Sequence, residues 1–223
     1  MVLAFDVYGT LIDPLRIEET LRPFFGERAR PAAELWRAKQ LEYSFRRALM
    51  KRYKDFNVCT AEALQLVSDQ MRVALSAEQR SQILQQYGRL PAYPDAAPAL
   101  RTLNQAGCRM VACSNGTEAA VRGLLQHAAL WSQLSAVVSV DGLQTFKPDP
   151  AVYEYLSAQA GTAKDNLWLI SSNPFDVIGA KACGLRSAWV RRDSDRVFDP
   201  WEFQPDLIVQ SLEELPARLA LQS

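Results

Sequence analysis

The chain has one histidine, four scattered cysteines and no surplus of either charge, and each shortage removes a class of function. His127 alone cannot build a histidine-rich zinc site. A Ser–His–Asp triad would have to use it, and no Gly-x-Ser-x-Gly elbow is present. Cys59, Cys108, Cys113 and Cys183 form no Cys-x-x-Cys pair and read as small buried apolar residues. Basic and acidic residues balance at 25 each, so no global field draws the chain to nucleic acid or an anionic membrane. No apolar run nears the ~18 residues of a bilayer span. The start, Met1 to Asp6, meets an acid too early for a signal peptide. Repeats and low-complexity tracts are absent too. The expectation is a soluble, cytoplasmic chain with no nucleic-acid or membrane partner.

What remains is a hydrophobic fraction of 48% in 223 residues, enough for one sizeable domain carrying a smaller insertion. Val2 to Phe5 is apolar throughout, as a strand buried on both faces should be. From about Ile17 to Tyr87 the pattern is helical. Leu35, Trp36, Leu41, Phe45, Leu49 and Tyr53 recur near helical spacing within a helix predicted over 32–53, and further helices are predicted over 61–74 and 77–87. So much helix between two strands exceeds a simple crossover. An all-helical cap over 14–88 is expected, inserted into a core formed by 1–13 and 89–223.

After Tyr93-Pro94 the pattern alternates. Helices are predicted over 96–106, 118–126, 151–160, 176–183 and 212–221, and strands over 109–113, 136–140, 167–170, 187–190 and 206–209. Such alternation predicts an α/β core with a Rossmann-like parallel sheet, which binds ligands beyond the carboxyl ends of its strands. Those ends carry Asp6, Ser114-Asn115-Gly116, Phe146-Lys147-Pro148 and Ser171-Ser172-Asn173, with Asp176 opening the next helix.

Asp6-Val7-Tyr8-Gly9-Thr10-Leu11, Ser114-Asn115-Gly116, Lys147-Pro148 and Asp176 resemble, in order and spacing, the four motifs of the haloacid dehalogenase superfamily. The resemblance covers essentially the whole chain and implies the fold just described. The superfamily holds phosphatases, phosphonatases, ATPases and dehalogenases, so the chemistry rests on individual residues. Its phosphatases carry a second aspartate where this chain has Tyr8, and a metal-binding aspartate where it has Ser172. Magnesium sites need hard oxygen ligands, and two expected carboxylates are missing. A closer resemblance is to the L-2-haloacid dehalogenases. It lies in Ser171-Ser172-Asn173-Pro174-Phe175-Asp176, in Trp36-Arg37-Ala38-Lys39-Gln40-Leu41-Glu42-Tyr43 and in Arg52-Tyr53-Lys54-Asp55-Phe56. Val7 and Pro174 depart from that family's usual small residues and bear on substrate preference.

The resemblance implies a metal-free, cofactor-free hydrolase that turns a small (S)-2-haloacid into the (R)-2-hydroxy acid and halide. Asp6 would be the nucleophile, paired with Lys147. Asp176 would be the base for ester hydrolysis, with Ser171 and Asn173 holding it or the water. Arg37, Asn115 and Phe175 would receive the halide. Thr10, Ser114 and the backbone near Tyr8 would take the substrate carboxylate. Tyr153 would support Lys147 or Asp6, and Leu41, Phe56 and Tyr8 would exclude water. A homodimer is compatible with the resemblance. Three rival readings stay open: opening of a strained ring such as an azetidine carboxylate, a magnesium-dependent phosphatase, and a non-catalytic binding protein.

Overall fold

The computed structural model describes residues 1–219. Six strands, β1 (Val2–Asp6), β2 (Arg109–Ser114), β3 (Ala136–Ser139), β4 (Leu167–Ser171), β5 (Arg186–Val190) and β6 (Leu207–Val209), form one sheet in the order β3-β2-β1-β4-β5-β6. Every pairing is parallel. Strand order reverses on either side of β1, so the crevice that parallel sheets offer to ligands opens at the carboxyl end of β1.

The helices are α1 (Glu18–Phe25), α2 (Ala29–Leu49), α3 (Phe56–Gln70), α4 (Ala77–Tyr87), α5 (Ala96–Gln105), α6 (Glu118–His127), α7 (Pro150–Ala160), α8 (Pro174–Ala182) and a short α9 (Leu215–Arg218). Local chemistry sets several starts. Ser76 and Gln79 make a reciprocal capping box at α4. Asp55 accepts from the Asn57 and Val58 amides at α3. Pro174 supplies the first residue of α8, and Asp176 sits in its first turn, where an acid suits the helix dipole.

Side chains alternate across each strand, and the core divides accordingly. Leu3, Phe5, Met110, Ala112, Trp168 and Ile170 pack on one face of the sheet, continuous with Ile17, Trp36 and Leu64 of the helical segment. Val2, Ala4, Val111, Cys113, Leu167 and Leu169 pack on the other, with Tyr153, Phe146 and Phe56. The chain passes between sheet and helical segment at two adjacent crossings. Asp13 N–H donates to the Pro91 carbonyl (3.1 Å) and Tyr93 N–H to that of Leu11 (2.9 Å). No helix among the described residues is long and apolar enough to cross a membrane.

Several expected boundaries shift. The long helix starts at Ala29 and stops at Leu49, leaving Tyr53 beyond its end, and α3 starts at Phe56 because Asp55 caps it. The buried face of α2 is Ala29, Ala32, Ala33, Trp36, Gln40 and Ser44, while Leu49 is 85% exposed. The large apolar residues at helical spacing had suggested a different stripe. Ala29, Ala32, Ala33 and Ser44 permit close approach of neighbouring helices, while Trp36 donates its indole N–H to the Thr60 carbonyl of α3 (2.8 Å) and Gln40 accepts from the Tyr87 hydroxyl (2.9 Å). Asp176 lies within the first turn of α8 and does not open it, because Asn173 is the N-cap. The closing helix is a 3-10 turn, Leu212–Glu214, followed by α9. Its expected end at 221 lies outside the described residues.

Candidate active site

β1 carries Asp6 to the middle of the sheet's carboxyl edge, in register with Cys113 of β2, while its neighbour Phe5 pairs with Ile170 of β4. Ser114 and Ser171 are therefore the next residues out on either side. Beyond Asp6 the chain turns tightly: Gly9 N–H donates to the Ile12 carbonyl (2.7 Å), and the Leu11 and Ile12 amides both reach the Val7 carbonyl (2.9 Å). Gly9 has φ +95°, and a β-carbon there would sit 3.1 Å from Ser172 Oγ. Glycine is required by conformation and by space. The turn brings Thr10 back so that its hydroxyl donates to Asp6 Oδ2 (2.8 Å).

Three donors hold the Asp6 carboxylate. Thr10 and Asn173 Nδ2 (2.8 Å) share Oδ2, and Lys147 Nζ reaches Oδ1 (3.1 Å). An ionised carboxylate offers about four lone-pair sites, so at least one remains for a reaction. Lys147 is completely buried and uses all its hydrogens: on Asp6, on Asp176 Oδ2 (2.7 Å) and on the Cys113 carbonyl (2.9 Å). Burial opposes the ammonium, but the Asp176 and Asp6 carboxylates outweigh it, and its pKa rises above the ordinary lysine value. Burial likewise pushes the Asp176 carboxyl up, with Lys147 opposing and Asp6 adding. Burial drives the Cys113 thiol up to about 12, which leaves it inert as a nucleophile.

Asp176 Oδ1 accepts from the Tyr153 hydroxyl (2.9 Å). That approach depends on Gly179, where a β-carbon would fall 2.5 Å from the Tyr153 hydroxyl oxygen.

Above this floor lies a small cavity walled by Asp6, Tyr8, Arg37, Leu41, Phe56, Ser114, Asn115, Lys147, Asn173 and Phe175, with a free volume of about 10 Å³. Arg37 Nη2 donates to the Tyr8 carbonyl (3.1 Å). Asn115 Oδ1 accepts the Lys147 amide (2.9 Å), which leaves Nδ2 as the group it can offer a ligand. Ser114 Oγ accepts from Gly116 N–H (3.2 Å) and keeps its own proton to donate. Phe175 meets Phe45 edge-on, at 5.1 Å and 74°.

Of the expected site residues, ten border the cavity and four do not. Thr10 does not face a substrate: its hydroxyl is committed to Asp6 and its oxygen accepts the Ser172 amide (2.8 Å). Tyr153 bonds to Asp176, and to neither Lys147 nor Asp6, because α7 packs behind the floor. Ser171 accepts from the Asn173 amide (3.1 Å) and does not hold Asp176. Asn173 holds Asp6 and the Tyr8 carbonyl instead of Asp176. Asp176 is fully buried behind Lys147 and is not part of the wall. No group of three or more His, Cys, Asp or Glu that could hold a metal forms among the described residues. The position between the Asp6 and Asp176 carboxylates is taken by the Lys147 ammonium.

The family model for haloacid dehalogenase-like hydrolases matches residues 1–184. The chain belongs to this family. This haloacid dehalogenase-like hydrolase is 32% identical over 219 residues to haloacetate dehalogenase H-2 of Moraxella sp. (strain B), covering 98% of this chain and 97% of the relative. It is 34% identical to an (S)-2-haloacid dehalogenase of Pseudomonas sp. (strain YL), covering 94% and 90%. Its fold matches the structure of L-2-haloacid dehalogenase from Xanthobacter autotrophicus with chloropropionic acid covalently bound, with a TM-score of 0.93, 31% identity and full coverage of both chains.

In this haloacid dehalogenase-like hydrolase, two residues outside the expected set also hold the site. Ser172, noted in the sequence only as a missing acid, orients Thr10 through its amide and donates its hydroxyl to the Gly9 carbonyl. Arg192 follows β5. It donates to the Thr10 carbonyl and to Asp95 Oδ2, and its guanidinium lies 4.1 Å from the centre of the Tyr93 ring. It thus grips the Asp6 turn and the second chain crossing together. The rule that found the other residues, reading whatever follows each strand, would have found Arg192 had it been carried to β5.

Proposed function

We propose that this chain is an (S)-2-haloacid dehalogenase that works through an aspartyl ester without a metal ion. Asp6 attacks C2 of the substrate from behind the carbon–halogen bond. Halide leaves, the carbon inverts, and Asp6 becomes esterified to the 2-hydroxy acid. Covalent catalysis of this kind divides one difficult displacement into two easier steps. The observation that carries the reading is the charge arrangement: one carboxylate held by Lys147, Thr10 and Asn173, with an ammonium where a dication would otherwise be needed. A singly charged haloacid does not call for the multiple cations that phosphoryl transfer requires.

In this reading Ser114 and the amides near Tyr8 take the substrate carboxylate, while Arg37, Asn115 and the positive edge of Phe175 receive the halide. Water then attacks the Asp6 carbonyl carbon. Asp176 is the proton acceptor, its basicity raised by burial. Esterification removes the charge of Asp6, which loosens the Lys147 bridge and lets water approach Asp176. Residues 14–88 act as a cap that must lift, because the cavity of about 10 Å³ has room for one water and any haloacid needs several times that.

The test is halide release from L-2-chloropropionate in EDTA, with one turnover in heavy-oxygen water. Release without metal and one heavy oxygen in the Asp6 carboxylate are expected. Strong inhibition by EDTA, or label only in the product, would overturn the mechanism. Asp176→Asn should still release one halide per site and then stall, with the adduct visible by mass spectrometry.

A further inference from the structure

A second, far larger cavity lies against the reaction cavity, and the two share a wall. It has a volume of about 820 Å³ and is bounded by α3, α4 and α6. That is within the usual range for small-molecule sites. Its apolar surface comes from Ala61, Leu84, Ala119, Ala120 and Gly123, with the fully buried Leu64 and Leu124 behind them. Polar side chains also line it, Glu62, Ser81 and Gln85 among them, and Gln65 and Arg80 are hydrogen-bonded to each other. Tyr8 borders both cavities.

Tyr8 is held at its backbone by hydrogen bonds and at its ring by packing alone, against Tyr87, Phe56 (centroids 6.3 Å apart) and the Arg37 guanidinium (5.9 Å). Its carbonyl accepts from Arg37 Nη2 (3.1 Å) and Asn173 Nδ2 (3.1 Å). Its ring stacks on Tyr87, with centroids 5.5 Å apart and planes 14° from parallel. Its hydroxyl makes no hydrogen bond among the described residues. With no side-chain hydrogen bond to break, turning the ring would cost only its packing on Tyr87, Phe56 and Arg37 and would leave the backbone that carries Asp6 in place. On the near side of that ring there is room for one water; on the far side there is room for a chain.

We propose that the α3–α4–α6 cleft is a subsite for the alkyl chain of longer 2-haloalkanoates, walled from the reaction cavity by Tyr8; this rests on the dehalogenase reading above. The carboxylate and halogen stay with the polar groups around Asp6. The chain leaves C2 past the displaced Tyr8 ring and lies on the alanine, leucine and glycine surface. Each buried methylene strengthens binding by about fourfold, so a medium-length chain should gain at least about tenfold even when partly seated.

Gly123 gives the means of testing this. It lies in the middle of α6, is exposed, and has nothing within 4 Å of an added β-carbon. Gly123→Phe should fold, since any ordinary residue suits a helix interior better than glycine, and its ring would stand on the cleft wall and take the apolar surface beside Ala120 from a bound chain. Octanoate and propionate binding by titration calorimetry, and turnover of 2-bromooctanoate and 2-bromopropionate, are compared in both proteins. The expected result is that the natural chain binds octanoate at least about tenfold tighter than propionate. Gly123→Phe should remove that advantage while 2-bromopropionate turnover stays within about twofold. Equal losses for both chain lengths would mean the cleft is only a passage, and no loss for either would mean chains do not enter it; each overturns the proposal. Failure to release halide from 2-bromopropionate would instead sink the dehalogenase reading, and the octanoate-to-propionate ratio would still decide the cleft.

Discussion

Below the reaction cavity, Lys147 divides its hydrogens among Asp6, Asp176 and the Cys113 carbonyl, and each partner belongs to the α/β layer. Above it, Arg37, Leu41 and Phe56 come from α2 and α3. The helical segment reaches across through Arg37 to the Tyr8 carbonyl and through Tyr53 to Asp141 Oδ1 (2.6 Å). The floor is a closed electrostatic unit of two carboxylates and one ammonium, secured to a sheet. The roof is mostly apolar, and its polar ties to the floor come from half-buried side chains. The difference follows from what each must do. Under the proposed mechanism, in-line displacement tolerates little misplacement of the attacking oxygen, which suits the placing of Asp6 on a central strand. Under the same proposal, admission of substrate requires something to open, and the helical segment, with few polar ties across the crevice, is the part placed to do so.

That contrast can be broken in four ways. Asp6→Asn should cost at least about 10⁴-fold in halide release with an unchanged circular dichroism spectrum, as loss of a nucleophile does; appreciable residual turnover, with no deamidation seen by mass spectrometry, would shift the chemistry away from the floor. Lys147→Met should lower stability by about 3–5 kcal/mol in urea denaturation, because it leaves two buried carboxylates without their cation. A variant as stable as the natural chain would show that the ammonium is not what holds the floor. Leu41→Ala, in the roof, should behave oppositely. Its side chain is half-buried, so stability should change by no more than about 1 kcal/mol, while kcat falls because water enters the cavity. Equal damage to stability would erase the distinction between the two sides.

The smallest effect is one of pH. Burial and the Asp176 carboxylate hold the Tyr153 hydroxyl well above its usual range. Above the unfolded value of about 10 the unfolded chain loses this proton and the native one keeps it, so stability falls as pH rises, by about 1.4 kcal/mol per pH unit for each such group. Below about pH 10 the contribution is complete. Tyr153→Phe should therefore flatten the alkaline decline measured by urea titration between pH 10 and 11. An unchanged slope would mean the hydroxyl titrates alike in both states.

Much of this organisation could be read in the residues. α4 falls on the predicted 77–87, because its apolar spacing and the Ser76–Gln79 cap that starts it are both local. Asp6, Ser114, Lys147 and Asn173 meet because residues that leave neighbouring parallel strands at the same edge have to meet. The failures are of another kind. The buried stripe of α2 joins small residues and Gln40 to Trp36, and which residues a neighbouring helix covers is known only once that helix is in place. Thr10 was assigned to substrate, yet it serves Asp6, since Ser172, 162 positions away, orients it. Tyr153 was assigned to the wrong partner of an ion cluster whose members lie only about 3 Å apart.

The order of residues by itself determined the α/β class, the helical insertion, the motif set and the family, because periodicity, caps and strand exits are short-range properties. Tertiary structure alone decided which donor serves which oxygen, that Asp176 stands behind Lys147 and away from the cavity, and that a large apolar cleft adjoins a nearly filled reaction cavity. Hydrogen bonds and free volume depend on differences of tenths of an ångström between segments far apart in the chain, and no local pattern encodes distances of that kind.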